Sequence, residues 1–304
     1  MMKLNLETDI PILKFLWTWK LLSTTAIAAR FYPGSNLRAP YVRLWKLERG
    51  GFIKSIASSN GKGFVWALSA RGFATIRHSL PLLTEEGFKS EHLGHDIAVT
   101  AAHLGDWIMH APEGVEFVTE QELRRFDKEA LPEWLPDTDL HRPDGYWRIR
   151  IGDKLRVLAL EVELSQKALD RYENIARFYS EDAEACHVIW IVDGKQLMNR
   201  VHQKIRDYIG TARHLHSFCL FSEFQKLGWQ TKIESGNAIG QTLANRLLIL
   251  PEFTLKDSSG LSFFDLRKNP VNSATHTHVP NHDFFNCVAP LPFSPTSTKG
   301  LLTL

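Results

Sequence analysis

The chain has 304 residues, of which 44% are hydrophobic, and its 36 Lys and Arg residues against 34 Asp and Glu give a net charge of +2. This length can bury one large core or two smaller ones, and we expect two folded units. The three scattered cysteines exclude a disulfide framework or a Cys-X-X-Cys zinc site and predict reduced thiols inside the cell: Cys186, Cys219 and Cys287.

The first apolar segment fits neither a signal peptide nor a membrane span. Residues 10–29, IPILKFLWTWKLLSTTAIAA, contain Lys14 and Lys20 and follow Glu7 and Asp9. Both kinds of segment need an apolar run without such charges. We therefore expect a soluble, cytoplasmic protein that is not inserted in a membrane.

Positive charge is concentrated in the N-terminal part of the chain. Residues 1–80 contain twelve Lys and Arg residues against three Asp and Glu, whereas the remainder contains 24 against 31. A basic unit is thus joined to an acidic one. Clustered basic side chains are typical of nucleic-acid-binding surfaces, and chance clustering of solvated side chains is the alternative.

Three helices are predicted in the first fifty residues. Apolar residues at helical spacing predict the first helix from Thr8 to about Ser23. The segment TTAIAARFYPG predicts a short second helix, and SNLRAPYVRLWKLERGG predicts a third that ends at a glycine pair.

A hairpin follows these helices, which gives the element order of a winged helix-turn-helix. The segments FIKSIAS and FVWALSA flank Asn60-Gly61, a dipeptide that favours a tight turn. In a winged helix the third helix enters the major groove and the hairpin tip contacts phosphates. Five basic residues of the third helix and the hairpin are therefore predicted to bind DNA: Arg38, Arg43, Lys46, Lys54 and Lys62. A winged helix that binds only protein is the alternative.

A second hairpin is predicted in the middle of the chain. The segments GYWRIRI and LRVLALEVELS are rich in β-branched and aromatic residues and are joined by the two-residue loop Gly152-Asp153. This loop fixes the register if Ile151 faces Lys154. One face of the hairpin is apolar and is predicted to be the buried face: Trp147, Ile149, Leu158, Leu160, Val162 and Leu164.

The register brings three carboxylates together on the other face. Asp144 is predicted opposite Glu161, with Cβ atoms about 4.5–5.5 Å apart, and Glu163 follows at the strand period of two. Adjacent like charges are destabilising unless a cation binds between them. We therefore predict that Asp144, Glu161 and Glu163 bind Mg²⁺ or Mn²⁺. The alternative is a solvated face neutralised by Arg148 and Arg150.

Further residues are predicted near these carboxylates. His141, just beyond the paired region near Glu163, could transfer a proton or bind phosphate. Glu120 ends the preceding apolar strand and could join the site as an outer acid. The preceding helix carries His95 and Asp96, which are within reach of the site but are predicted to be a pair on the helix surface.

Three tyrosines are predicted close to the site. Tyr146 shares the carboxylate face and is the tyrosine that could attack a phosphate, whereas Tyr172 and Tyr179 are one heptad apart and are predicted to pack a helix onto the sheet. We expect an activated water as the nucleophile, because a phenol of pKa about 10 is largely protonated at neutral pH.

The residues around this hairpin resemble the PD-(D/E)xK nuclease motif. Pro143-Asp144 precedes one strand, and Glu161-Val162-Glu163 lies in the next strand, before a helix. Helix, strand, strand, strand, helix, strand is the predicted order and also the core order of that fold. Glu163 stands where the family has its lysine, as in some restriction endonucleases, and the resemblance implies that Lys167 supplies the missing positive charge. The predicted fold class is α/β (α+β): an N-terminal winged helix-turn-helix followed by a PD-(D/E)xK restriction-endonuclease-like domain.

The chain also resembles the plasmid replication-relaxation proteins, and most closely the MobC-type relaxases. The resemblance covers about residues 8–205 and depends on a predicted winged helix followed by the segments HRPDG and ALEVELSQKALDRYENIARFY. The resemblance implies a site- and strand-specific nickase that binds double-stranded DNA at a plasmid origin of transfer and initiates conjugative mobilisation. It implies a relaxosome with an accessory protein and a coupling protein as partners. The implied catalytic residues are Asp144, Glu161, Glu163, Lys167 and His141.

Two other functions and the domain boundaries complete the sequence-based predictions. A non-catalytic plasmid replication or transcription regulator with a degenerate nuclease core is the first alternative, and an ordinary double-strand endonuclease is the second. We place the winged-helix domain at residues 1–85, the nuclease domain at 86–250 and an irregular tail at 251–304.

Overall fold

The computed structural model of the chain is a mixed α/β protein with a three-stranded and a six-stranded sheet. It describes residues 3–57, 64–103, 116–136, 141–151, 154–181, 185–209 and 216–246. The predicted turn with Lys62, the loop Gly152-Asp153 and the predicted tail lie outside these ranges. Among the described helices, none has the length and apolar character needed to cross a membrane.

The N-terminal part packs helices against a three-stranded antiparallel sheet of order β1-β3-β2. Its elements are α1 (Asp9–Trp19), β1 (Leu21–Leu22), α2 (Thr24–Phe31), α3 (Arg38–Arg49), β2 (Ile53–Ala57), β3 (Phe64–Leu68) and α4 (Ala70–Ile76). The three helices and the hairpin occur in the predicted order. The first helix ends earlier than predicted because the chain turns at Lys20 and the next two leucines pair with β3.

The second part contains a mixed sheet of order β4-β5-β6-β7-β8-β9. Its elements are α5 (Leu93–His103), β4 (Glu116–Thr119), α6 (Glu120–Arg125), β5 (Gly145–Ile151), β6 (Lys154–Glu163), α7 (Leu169–Glu181), β7 (Ala185–Val192), α8 (Lys195–Ile209), β8 (His216–Leu220), α9 (Phe221–Leu227), β9 (Ser235–Gly236) and α10 (Leu243–Arg246). Strands β4, β5 and β6 are antiparallel, whereas β6, β7 and β8 are parallel. Helices α7 and α8 form the crossovers that parallel strands require.

The hairpin of β5 and β6 has the predicted register. Ile151 pairs with Lys154, and the backbone N–H of Asp144 donates to Leu160 O at 2.9 Å. Asp144 therefore begins the hairpin beside the strand position of Glu161. A two-residue connection leaves little freedom for another register, which is why this feature could be predicted locally.

Both faces of the second sheet are buried, whereas the sequence predicted one buried face on the hairpin. The face with Trp147 shares a core with α1, α5 and α9. The face with Tyr146 packs beneath α7 and α8, because parallel crossovers place helices over a sheet. Glu161 and Glu163 lie under this layer and are only 3% and 2% exposed.

Two tryptophans of α1 connect the two sheets through one apolar core. Trp17 Nε1 donates to Gly87 O at 2.9 Å, and its ring stacks on Phe126 with 5.2 Å between ring centroids. The ring of Trp19 packs against His103. The described residues belong to one compact unit. The domain boundaries stay predictions, but the core is continuous across the first of them.

A fragment of residues 1–85 is expected not to fold alone. It would expose Trp17 and Trp19, which are almost fully buried in the whole chain. Burial of a large apolar side chain stabilises by about 3 kcal/mol, so the two indoles together match the total stability of a marginal small domain. Circular dichroism and amide NMR spectra test this, with the full chain as the control. A fragment with dispersed amide resonances and a cooperative thermal transition would contradict the expectation.

Candidate active site

The three predicted carboxylates lie together in the structure. Asp144, Glu161 and Glu163 line one cavity of about 1190 Å³. The hairpin places them at the end of β6, and α5, α6 and α7 contribute the other walls. Lys167 and His141 line the same cavity. The cavity thus contains each of the five residues predicted to be catalytic.

Glu161 is held by two proton donors. Tyr179 OH donates to Glu161 Oε1 at 2.5 Å, and His141 Nε2 lies 2.6 Å from the same oxygen. Burial and the charge of Glu161 raise the pKa of Tyr179 well above its usual value, so the phenol keeps its proton. His141 was predicted near Glu163 and contacts Glu161 instead, because its ring packs edge-on against Phe178 and Tyr179 of α7.

Glu163 forms an ion pair with Lys167. Lys167 Nζ lies 2.6 Å from Glu163 Oε2, and the backbone N–H of Lys167 donates to Tyr172 OH at 2.9 Å. Burial raises the pKa of Glu163, and the charge of Lys167 opposes this shift. Burial alone would lower the pKa of Lys167, but Glu161, Glu163 and Asp144 raise it above its usual value. Lys167 is therefore a cation beside all three acids.

Asp144 is held by a backbone amide and by His95. The N–H of Val162 donates to Asp144 Oδ2 at 2.7 Å, and His95 Nε2 lies 3.5 Å from Asp144 Oδ1. Burial alone would lower the pKa of His95, but Asp144 and Asp96 raise it to about 10. Burial would raise the pKa of Asp144, but His95 lowers it. The predicted surface position of His95 and Asp96 is wrong, since Asp96 is buried and both residues line the cavity.

His103 fixes the backbone at Asp144. Trp147 Nε1 donates to His103 Nδ1 at 2.8 Å, so His103 Nε2 carries the proton and donates to Asp144 O at 3.0 Å. Complete burial lowers the pKa of His103 to about 4, which keeps the ring neutral. Gly145 permits this approach, because a Cβ there would collide with the ring. His103 was not among the predicted site residues, although a glycine directly after Asp144 indicates a close neighbour there.

Lys20 reaches the same cavity from the end of α1. Its Nζ lies 3.2 Å from Asp96 Oδ1 and 2.6 Å from Glu120 Oε2. Glu120, predicted as an outer acid, thus pairs with a cation in the cavity wall. Burial alone would raise the pKa of Asp96, but His95 and Lys20 lower it to about 2. Lys20 was not among the predicted site residues, because its partners are 76 and 100 residues away and no local sequence pattern connects them.

Tyr146 lies on the predicted face but not in the cavity. Its side chain is fully buried in the layer between the sheet and α7. It is not among the residues that line the cavity. A phosphate in the cavity would therefore not reach this phenol, and the geometry does not favour Tyr146 as a nucleophile.

The acids have the chemistry of a Mg²⁺ site, but the three are paired with groups of the chain itself. Carboxylate oxygens are the ligands that Mg²⁺ prefers. Over the described ranges, however, no group of three or more His, Cys, Asp or Glu residues is placed to hold a metal ion. Lys167 and His95 lie beside the acids where a bound cation would neutralise them. As arranged, the protein's own cations perform that neutralisation.

The arrangement of the side chains is the main guide to the function of this protein. No family model, curated protein or solved structure matches the chain. The resemblance to PD-(D/E)xK nucleases and MobC-type relaxases therefore rests on the motif residues alone. The cavity, in which distant residues meet the motif acids, is an observation independent of that motif.

The residues predicted to bind DNA differ in their surroundings. Arg38 and Lys46 are exposed on α3, and Lys54 is exposed on β2. Arg43 points the other way: its Nε donates to Oδ1 of the fully buried Asp9 at 2.7 Å. Its predicted place on a DNA-binding surface is therefore corrected to a structural ion pair between α3 and α1.

The exposed face of α3 carries more than basic side chains. Tyr41 and Val42 are 39% and 44% exposed, and Arg49 is exposed at the end of the helix. The face thus combines cations with an aromatic and an aliphatic side chain. Phosphates and base edges in a major groove are contacted by side chains of these kinds.

The pH dependence of stability is expected to report the ion pair between His95 and Asp144. The pKa of His95 is about 10 in the folded protein, against 6.5 ordinarily. A raised pKa in the folded state gives stabilisation that is complete below pH 6.5 and lost as the pH rises towards 10. The melting temperature should therefore fall over this range in the wild type, and less steeply in His95→Gln.

The measurement is thermal unfolding at several pH values between 6.5 and 10. His92→Gln is the matched control, because His92 is an exposed histidine just before α5. Lysines and tyrosines that titrate near pH 10 contribute equally to all three proteins. Parallel curves for the wild type and His95→Gln would refute the ion pair as a source of stability.

Proposed function

We propose that the chain is a site- and strand-specific DNA nickase of the relaxase type. It binds double-stranded DNA at a plasmid origin of transfer and cleaves one strand in the cavity lined by Asp144, Glu161 and Glu163. The single observation that carries the proposal is the convergence of these acids with Lys167 and His141 in one cavity. In this proposal a relaxosome accessory protein and a coupling protein are its partners in conjugative mobilisation.

The order of the elements supports the proposal. Helices α1, α2 and α3 followed by the hairpin of β2 and β3 have the order of a winged helix-turn-helix. The elements α5, β4, β5, β6, α7 and β7 have the order of a PD-(D/E)xK core, with α6 inserted. Asp144 precedes β5 and Glu161 lies near the end of β6, as in the motif. Glu163 occupies the position of the motif lysine, and Lys167 lies between β6 and α7.

The cavity supplies groups for both proton transfer and charge stabilisation. Hydrolysis of a phosphodiester needs a base for the attacking water and a cation near the phosphorane. If His141 Nε2–H donates to Glu161, its Nδ1 is left to accept a proton from water. Lys167 is the cation nearest to the motif acids, and its ammonium would stabilise the developing negative charge.

We propose Mg²⁺ or Mn²⁺ as the cofactor on the chemistry of the acids alone. Asp144, Glu161 and Glu163 are the residues that would bind it. The roles given to His141 and Lys167 involve only groups of the chain itself. A dependence of cleavage on added metal is therefore a separate question, which the cleavage assay addresses with Mg²⁺, Mn²⁺ and EDTA.

A non-catalytic plasmid replication or transcription regulator is the second candidate. The observation that favours it is the pairing of the acids with Lys167, His95 and His141. A protein that has lost catalysis could keep such ion pairs for stability. Both candidates share the DNA-binding face of α3, so cleavage is the property that separates them.

Glu161→Gln is expected to lower nicking at least about 100-fold, since loss of a group that orients an acid–base catalyst typically costs 10²–10⁴. Origin binding should stay unchanged, because Gln keeps the size of the side chain. The assay follows the conversion of supercoiled plasmid carrying the origin into the open circular form on a gel. Glu173→Gln is the control, since Glu173 lies on the outer side of α7 and pairs with Lys204.

The form of the plasmid product distinguishes the nickase from the two alternative functions. No nicking by the wild type with any metal supports the regulator, and linear product supports a double-strand endonuclease. Nicking by Glu161→Gln at the wild-type rate would remove Glu161 from the site.

Lys46→Met is expected to change DNA binding, and Arg43→Met is expected to change stability. Lys46→Met should weaken DNA binding and reduce the slope of log affinity against log salt by about one, as for one lost phosphate contact. Arg43→Met should leave Asp9 buried without its partner and lower the free energy of unfolding by about 3 kcal/mol. Fluorescence anisotropy between 50 and 200 mM salt and thermal unfolding measure the two effects. Equal losses of affinity in two equally stable variants would contradict the assignment of Arg43.

A further inference from the structure

We propose that Lys20 is a positioning residue of the cleavage site, supplied by the N-terminal part of the chain. Lys20 fixes Asp96 and Glu120, and through Asp96 and His95 it determines the position of Asp144. This inference rests on the proposed function, because it names the residue that makes the cavity dependent on the part that binds DNA.

The contacts of Lys20 cross the chain from the first sheet to the second. It follows α1 directly, whereas Asp96 lies on α5 and Glu120 begins α6. Its ammonium lies within 3.2 Å of an oxygen of each acid, and only 14% of its side chain is exposed. At this degree of burial an ion pair is screened much less than on a surface. The amine is therefore committed to these two acids.

The backbone of Lys20 indicates that its side chain has a role. Its φ of 60° and ψ of −42° are unfavourable for a residue with a Cβ. Glycine is the usual residue where a chain must turn this way. The turn between α1 and β1 alone would therefore favour glycine at this position. The lysine side chain gives what glycine lacks, which is a cation in the wall of the cavity.

A row of alternating charges leads from Lys20 to Asp144. Asp96 Oδ1 lies 3.2 Å from Lys20 Nζ and 3.8 Å from His95 Nδ1. The other nitrogen of the ring, Nε2, lies 3.5 Å from Asp144 Oδ1. His95 thus lies between two carboxylates, and its Nε2 also lies 2.9 Å from the carbonyl oxygen of Val162. The carbonyl and the two carboxylates together fix the orientation of the ring. Lys20, Asp96, Glu120 and Asp144 also line one small cavity of about 20 Å³.

Removal of the Lys20 ammonium changes the balance of charges around His95. Asp96 and Glu120 would then be two acids without their shared cation, and Asp96 would attract the imidazolium of His95 more strongly. Asp144 would lose part of its contact with His95 and could adopt other rotamers. Cleavage should suffer, because a misplaced group at a reacting centre typically costs one to two orders of magnitude. DNA binding should not, because Lys20 lies in the cavity wall and away from the exposed face of α3.

The experiment compares Lys20→Met, Lys20→Arg and Lys14→Met in the full chain. Lys14 is the matched control, since it lies on α1, the helix that Lys20 follows, and makes no ion pair within the described ranges. Three quantities are measured: kcat for nicking at saturating origin DNA, the Kd for that DNA, and the ¹⁵N resonances of the His95 ring without DNA or metal. We expect Lys20→Met to lower kcat about 10- to 100-fold, to keep the Kd within about twofold and to shift the ring resonances. Lys20→Arg should restore most of kcat, and Lys14→Met should match the wild type.

Lys20→Gly is a second test variant, in case Lys20→Met does not fold. It removes the ammonium and also relieves the unfavourable backbone, so part of the lost ion-pair energy is offset and the protein should be more stable than Lys20→Met. It should show the same loss of kcat and the same shift of the His95 resonances. Unchanged His95 resonances, or an unchanged kcat, in either folded variant would overturn the inference.

The two proposals fail in different ways. If the wild type does not nick DNA, the proposed function fails, and the His95 resonances still decide whether Lys20 positions that ring. If the wild type nicks DNA and Lys20→Gly does so equally well, only the inference about Lys20 fails.

Discussion

Mutual repulsion among buried acids is the constraint on which the structure of this cavity depends. Asp144, Glu161 and Glu163 are drawn together by one hairpin and are covered by α7. Charges of one sign at such depth are tolerated only when they are paired and hydrogen-bonded. Each acid accordingly has its own partner: a histidine and a backbone amide, a tyrosine and a histidine, and a lysine.

These partners come from separate parts of the chain. His95 lies on α5, His141 precedes β5, Lys167 precedes α7 and Tyr179 lies on α7. Lys20, at the end of α1, pairs with Asp96 beside His95. The neutral ring of His103 also positions Asp144, but it does so by fixing the backbone and not by pairing with the charge. The placement of Asp144 therefore depends on α5 as well as on its own hairpin.

Local features of this protein were predictable from its sequence, and contacts between distant segments were not. The register of β5 and β6 follows from a two-residue loop and strand alternation, both of which are visible in the sequence. The burial of the carboxylate face depends on α7 crossing over to β7, and the pairing of Lys20 with Asp96 depends on how α1 meets α5. Arg43 shows the same limit, because helical spacing placed it on α3 but not towards Asp9.

If the chain is a DNA-binding enzyme, as proposed, the continuity of the core through Trp17 and Trp19 affects how its DNA specificity could be changed. In many DNA-binding enzymes the reader is an interchangeable module on a linker, and a new specificity comes from exchanging the whole module. Here such a graft would remove two indoles from the core of the second sheet and a cation from the cavity. A chimera would have to keep α1 and the turn after it, and take only the exposed face of α3 from its donor.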